Sequence, residues 1–151
     1  MSTDICLYLL DKEIPTASEW ASCLQKEFGH EQFSDFSLRD FFGFLPCGKS
    51  GFEYLAYSIT PEEAAEYQIN DFSFDFVVTL SAKDKTESKL ALCSISILAK
   101  ITGGMVCDPQ TGTLYSASEA INLARAKNLT SGSNRSLRSL GRAKARPLTK
   151  R

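Results

Sequence analysis

The sequence has little of what catalytic sites and membrane anchors require. Its 151 residues include one histidine, His30, and no apolar run approaches the roughly 20 residues that span a bilayer. A histidine-centred nucleophilic triad also needs a Ser or Cys nucleophile, and no G-x-S-x-G or Cys-His signature accompanies His30. The apolar stretch 5–10 is too short for a signal peptide, and Asp4 precedes it where a positive charge is usual. We therefore expect a cytoplasmic, non-enzymatic protein in which His30 caps a helix or lies on the surface.

The cysteines lack the spacing of a metal site or a disulfide scaffold. The chain has five of them, an odd number, and none belongs to a C-x-x-C pair. Four of the five lie among apolar neighbours, where a free thiol packs like a small hydrophobic group. This pattern predicts reduced, structural thiols and no metal ligands, and no cofactor site is predicted.

Acidic residues are absent from the C-terminal part of the chain. All 18 lie at or before Glu119, and nine basic residues follow from Arg125 onward. Residues 1–124 contain the other 8 basic residues, so their net charge is −10. A field of one sign attracts partners of the opposite sign, so the acidic part predicts a basic partner. The acid-free segment cannot bury enough apolar surface to order itself, which predicts a single domain over 1–128 and a disordered basic tail over 129–151.

Hydrophobic periodicity and turn signals predict an α+β fold. Residues 5–10 indicate a buried strand, and residues 41–45 and 52–59 indicate a hairpin whose turn spans 46–51. Residues 72–80 alternate strictly and predict a strand with Phe72, Phe74, Phe76, Val78 and Leu80 on one face. Residues 105–107 and 113–115 flank a second hairpin turn that contains Pro109 and Gly112.

Three capping boxes mark the starts of helices, at residues 16–19, 60–63 and 116–119. The first helix places Trp20, Leu24 and Phe28 on one stripe before Gly29, and the second is short and ends near Tyr67. A further helix over 87–101 is apolar on nearly all sides, which is typical of a buried helix. The element order β-α-β-β-α-β-α-β-β-α predicts a largely antiparallel sheet with helices packed on one face.

Two motifs leave alternative functions open. Gly43–Ser50 matches G-x-x-x-x-G-K-S and would suit a small nucleotide-binding enzyme, but a P-loop opens a helix, whereas strand-like residues follow Ser50. In the tail, Arg135, Arg138 and Arg142 would align on a helix and bind nucleic acid, although the tail has no aromatic residue to stack on bases. The second alternative is a nucleic-acid-associated accessory protein.

A cluster of carboxylates surrounds the short second helix. It comprises Glu62, Glu63, Glu66, Asp71 and Asp75. Such a cluster is either a solvated face or an acidic docking surface for a basic partner.

Three segments resemble one protein family: Gly43-Phe-Leu-Pro46, Ser50-Gly-Phe-Glu53 and the run from Ile101 to Gly112, ITGGMVCDPQTG. They resemble small bacterial immunity proteins that are encoded beside polymorphic or type VI secretion toxins, and the match covers about residues 40–125. Met105 departs from the family pattern, where a valine is usual, and the basic tail lies outside it.

The resemblance implies a stoichiometric inhibitor that binds its cognate toxin in the cytoplasm and blocks the active site or substrate entry. A toxin that acts on nucleic acid has a basic cleft, and a body of charge −10 would complement it. The expected contact residues are Glu53, Tyr57, Glu62, Glu63, Glu66, Tyr67, Asp71 and Asp75.

Overall fold

The computed structural model describes residues 2–30, 33–60, 62–63, 74–129 and 146–147. The strands are β1 (Thr3–Leu9), β2 (Gly43–Cys47), β3 (Ser50–Ser58), β4 (Phe76–Ala82), β5 (Met105–Asp108), β6 (Thr113–Tyr115) and β7 (Arg146–Pro147). The helices are α1 (Ala17–Phe28), α2 (Lys85–Thr102) and α3 (Ala117–Leu129), and a 3-10 turn covers Asp11–Glu13. The strands lie in the order β2-β3-β4-β1-β5-β6-β7, and all adjacent pairs are antiparallel. The predicted α+β class is confirmed.

Local hydrogen bonds define the helix starts as the sequence predicts. The Thr16 hydroxyl accepts the Glu19 N–H at 3.1 Å, and Glu19 Oε1 accepts the Thr16 N–H at 2.9 Å. Thr60 with Glu63, and Ser116 with Glu119, form the same reciprocal pair. Each box satisfies two N–H groups that the helix itself leaves without partners.

The three helices share one core with the inner face of the sheet. Helix α2 crosses this core and is buried on nearly all sides, as its sequence predicts. Trp20 of α1 is fully buried, and its indole N–H donates to the Ser94 carbonyl of α2 at 2.8 Å. On the outside, Arg125 of α3 pairs with Glu27 of α1. The helices are therefore fixed to one another as well as to the sheet.

The structure corrects the predicted strand over 72–80. Regular pairing begins only at Phe76 and continues to Ser81 with β3 and to Ala82 with β1. Phe76 packs in the main core, but Phe74 packs with Val77 in a second cluster on the opposite face. Alternating residues lie on opposite faces of a sheet only where the chain is a regular strand, so the prediction that Phe74 shares a face with Phe76 is wrong. Residues 72 and 73 lie outside the described residues.

The first hairpin has a shorter turn than predicted. Pro46 and Cys47 belong to β2, and only Gly48 and Lys49 lie between the strands. Gly48 has φ 67°, a left-handed conformation that glycine adopts without steric cost. Proline is tolerated in β2 because this strand forms the edge of the sheet, where its missing N–H removes no internal bond.

The predicted tail falls mostly outside the described residues. Arg146 and Pro147 pair with Leu114 and Thr113 of β6, so this short segment adds a two-residue strand to the sheet. For residues 130–145 and 148–151, disorder stays a prediction.

Candidate interaction surface

The outer face of the β2–β3 hairpin exposes a group of apolar side chains. Phe52 and Tyr54 of β3 point into the helical core, so Glu53, Leu55 and Tyr57 point to the opposite, outer face. Phe44 of β2 is the register partner of Glu53 and shares that face. We call Phe44, Glu53, Leu55 and Tyr57 the hairpin face.

The exposure of this face is unusual for such large side chains. Phe44 is 43%, Leu55 47% and Tyr57 46% exposed, and Phe42, just before β2, is 76% exposed. Single exposed apolar residues are common, but grouped ones mark interaction sites more often. The grouping on adjacent strands therefore identifies a candidate docking surface.

Gly51 gives Phe44 a defined position on the hairpin face. A Cβ at Gly51 would lie 2.6 Å from Cζ of the Phe44 ring and 2.4 Å from the Leu45 carbonyl oxygen. The ring thus lies over the glycine backbone of the neighbouring strand, the arrangement by which aromatic residues protect edge glycines. An aromatic side chain held in this way can act as a preorganised anchor for a partner.

The hairpin face continues into a buried apolar cluster on the same side of the sheet. Tyr57 is the register partner of Val77, which in turn pairs with Tyr8. Val77 and Tyr8 belong to this cluster, together with Ile59, Phe74, Met105, Cys107 and Leu114. The apolar outer face is therefore covered at β1, β4, β5 and β6 and open at β2 and β3.

The structure brings together only part of the predicted contact set. Glu53 and Tyr57 lie on the hairpin face, four residues apart on β3. Glu62 is exposed on the helical turn that follows Thr60, and the Glu63 carboxylate accepts the Thr60 N–H at 3.0 Å. Glu63 therefore serves a local structural role. Glu66, Tyr67 and Asp71 lie outside the described residues, so their part in a docking surface stays a prediction.

Asp75 has a structural role at the end of the sheet. Its carboxylate accepts the Asp11 N–H at 2.7 Å, and Asp11 also pairs with Arg39 at 2.7 Å. The Asp75 backbone bonds to Leu9 and to Ile59, which join it to the ends of β1 and β3. The part of Asp75 in a docking surface stays a prediction.

Sequence reasoning missed three residues of this surface, Phe42, Phe44 and Leu55. The signal for two of them was present: once Phe52 and Tyr54 are assigned to the core, Leu55 must face outward, and hairpin pairing places Phe44 beside Glu53. The exposure of Phe42 follows from no local pattern in the sequence.

Metal-ligating groups, thiols and the P-loop match each need a particular geometry to support chemistry. They contain no group of three or more His, Cys, Asp or Glu side chains that could hold a metal ion. On the outer face, burial raises the pKa of Cys107 to about 12 and also raises that of Cys6, so both thiols stay protonated and weakly nucleophilic. Gly43–Ser50 forms a hairpin and opens no helix, so the backbone cradle of a P-loop is not formed there.

Among the described residues, no helix is long and apolar enough to cross a membrane. No family model, curated protein or solved structure significantly matches the chain.

Proposed function

We propose that this protein is an immunity protein, which neutralises a secreted toxin by binding it through the hairpin face. The observation that carries the proposal is the exposed set Phe44, Leu55 and Tyr57 around the carboxylate of Glu53, on a chain segment of net charge −10. The resemblance of residues 40–125 to such proteins adds to it. Aromatic anchors beside charged groups are typical of specific protein interfaces.

The face of the sheet suits a partner better than its edge. A strand added beside the hairpin face would have to pair with β2, but Pro46 has no N–H to donate, and proline at an edge discourages strand addition. The side chains of the hairpin face stand clear of this edge and can enter pockets on a partner surface. Glu53 at its centre favours a partner that presents Lys or Arg there, such as the basic cleft of a nucleic-acid-directed toxin.

The first test is genetic and biochemical. Each gene adjacent to this one would be expressed alone in a heterologous host and then together with this chain. We expect one neighbour to arrest growth, co-expression to restore it, and the two purified proteins to form a complex of fixed stoichiometry. If no neighbour is toxic, or if this chain leaves the toxicity unchanged, the proposal is wrong.

The second test locates the interface. Glu53→Lys reverses a charge on the hairpin face, and Asp35→Lys makes the same change between Phe33 and Phe36, which pack with Trp20 on the helical side. We expect Glu53→Lys to weaken toxin binding roughly tenfold or more, because like charges placed together at an interface cost several kcal/mol. Asp35→Lys should change affinity little. Equal losses in both variants would indicate a general field effect and would contradict the hairpin face as the binding site.

A further inference from the structure

A cavity of about 460 Å³ lies between the end of α1, the β2–β3 turn and the first turns of α2, away from the side chains of the hairpin face. Polar and basic side chains line much of it: His30, Lys49, Ser50, Thr86 and Lys89. Its size falls within the range of small-ligand sites, roughly 300–1,000 Å³. It is therefore large enough for a small organic molecule.

Each side chain is placed by a feature of the backbone. Gly29 ends α1 with φ 73°, which turns the chain so that His30 follows the helix directly. Lys49 occupies the tip of the two-residue hairpin turn. Thr86 and Lys89 are three residues apart on α2 and so share one face of that helix.

The cavity is cationic although most of the chain is acidic. Among the residues that the structure describes, no carboxylate lines it, and the ion pairs found there, Arg39 with Asp11 and Arg125 with Glu27, involve neither lysine. Asp84 caps the start of α2 and Glu87 lies in its first turn, and these two carboxylates are oriented by the backbone: Asp84 accepts the Glu87 N–H, and Glu87 accepts the Lys83 N–H. Two ammonium groups that line one concave site attract anions.

His30 provides a second, independent indication that the cavity binds a ligand. Nε2 of His30 is buried and has no hydrogen-bond partner in the part of the chain that the structure describes. Buried polar atoms are nearly always paired in folded proteins, so an unpaired one invites a ligand or an ion as its partner. The ring is also held by stacking on Phe28, with ring centroids 6.2 Å apart.

We propose that this cavity binds a small organic phosphomonoester. The two lysines, the hydroxyls of Ser50 and Thr86, and the N–H of a neutral His30 supply more donors than a carboxylate needs, and they approach from three elements, as the several oxygens of a phosphate require. Phosphate alone would not fill the cavity. The rest of the cavity, beside Leu90, can accommodate the organic part of a phosphomonoester. Lys49 and Ser50 are the last residues of the G-x-x-x-x-G-K-S match, but here their side chains, and not a P-loop backbone, hold the phosphate.

The test uses the full chain and its single histidine, whose imidazole NMR signals are unambiguous. Inorganic phosphate and glycerol 3-phosphate would be titrated at constant ionic strength against chloride. Both probes should shift the His30 signals saturably, with glycerol 3-phosphate binding at least as tightly as phosphate. Shifts of the same size from chloride, or binding of inorganic phosphate alone, would overturn the proposal.

Matched variants locate the site. Lys49→Gln and Lys89→Gln should each weaken binding roughly tenfold, the effect of losing one charge-assisted hydrogen bond. Lys85→Gln removes the same charge from an exposed position on α2 that does not line the cavity, and it should bind as the wild type does. The two cavity lysines are on different elements, so each variant tests the proposal separately. If both bind phosphate with wild-type affinity, or if Lys85→Gln loses as much, the site is not there.

Discussion

Gly103 and Gly104 follow one another after α2, but the structure gives them different roles. Gly103 ends the helix with φ 75°, and a Cβ there would meet nothing within 4 Å. Gly104 lies against β1, where a Cβ would be 2.4 Å from the Tyr8 carbonyl oxygen and 2.9 Å from Cδ1 of Leu7. We therefore predict that Gly104→Ala destabilises the fold much more than Gly103→Ala.

The magnitudes follow from these two geometries. Alanine at position 103 has open space but a left-handed backbone, which costs roughly 1 kcal/mol. Alanine at position 104 needs roughly 0.9 Å more room, since carbon–oxygen contacts settle near 3.3 Å. That room can come only from the backbone of β1, where Tyr8 pairs with Met105. Overpacking typically costs about 1–3 kcal/mol, and a weakened ladder bond adds about 1 kcal/mol, so we expect about 3 kcal/mol in total.

Urea denaturation followed by circular dichroism measures both effects on the free energy of unfolding. The difference between the variants, about 2 kcal/mol, corresponds to a melting temperature lower by roughly 4–8 °C for a chain of this size. Both substitutions are Gly→Ala at adjacent positions, so their effects on the unfolded chain nearly cancel. If Gly104→Ala is no less stable than Gly103→Ala, the close approach of β1 to this turn is wrong.

Two further predictions concern titratable groups. Iodoacetamide at pH 8 should modify exposed Cys23 rapidly and the other four cysteines slowly, because Cys47, Cys93 and Cys107 are buried and burial raises the pKa of Cys6. Mass spectrometry locates the label, and early modification of Cys107 would contradict the fold. In urea, all five cysteines should react. Burial lowers the pKa of His30 below 6.5, so folding disfavours its protonated form. The stability that depends on neutral His30 is therefore fully present above pH 6.5. It decreases as the pH falls from 6.5 toward the lower pKa of the folded state, because the unfolded chain binds the proton first. The wild type should therefore lose more stability than His30→Gln between pH 7.5 and 5.5, measured by urea titration, and equal losses would refute this assignment.

Local signals predicted much of the fold. The three capping boxes form as predicted because a hydroxyl and a carboxylate three residues apart can satisfy each other's backbone without help from distant parts of the chain. Gly29 and Gly103 end their helices for the same local reason.

Features that depend on tertiary packing were harder to predict. Phe74 continues the alternation of the strand, but its backbone is outside the regular ladder and its side chain packs on the other face. The contact role expected for Asp75 stays a prediction, but its carboxylate also accepts the Asp11 N–H, a bond that the charge pattern did not predict. In each case, residues far apart in sequence decide the outcome.

The β2–β3 hairpin contributes to both proposed sites, and its geometry keeps them separate. Leu55 and its neighbours on the hairpin face point outward from the sheet, whereas Lys49 lies at the turn beside α1 and α2. Because the two-residue turn is short and fixed by strand pairing, a change at one site should not displace the other. Leu55→Ser should therefore weaken toxin binding but not phosphate binding, and Lys49→Gln should weaken phosphate binding but not toxin binding. The net charge of −10 on residues 1–124 supports the same separation. It favours a basic protein partner, whereas the two lysines that line the cavity favour an anionic ligand.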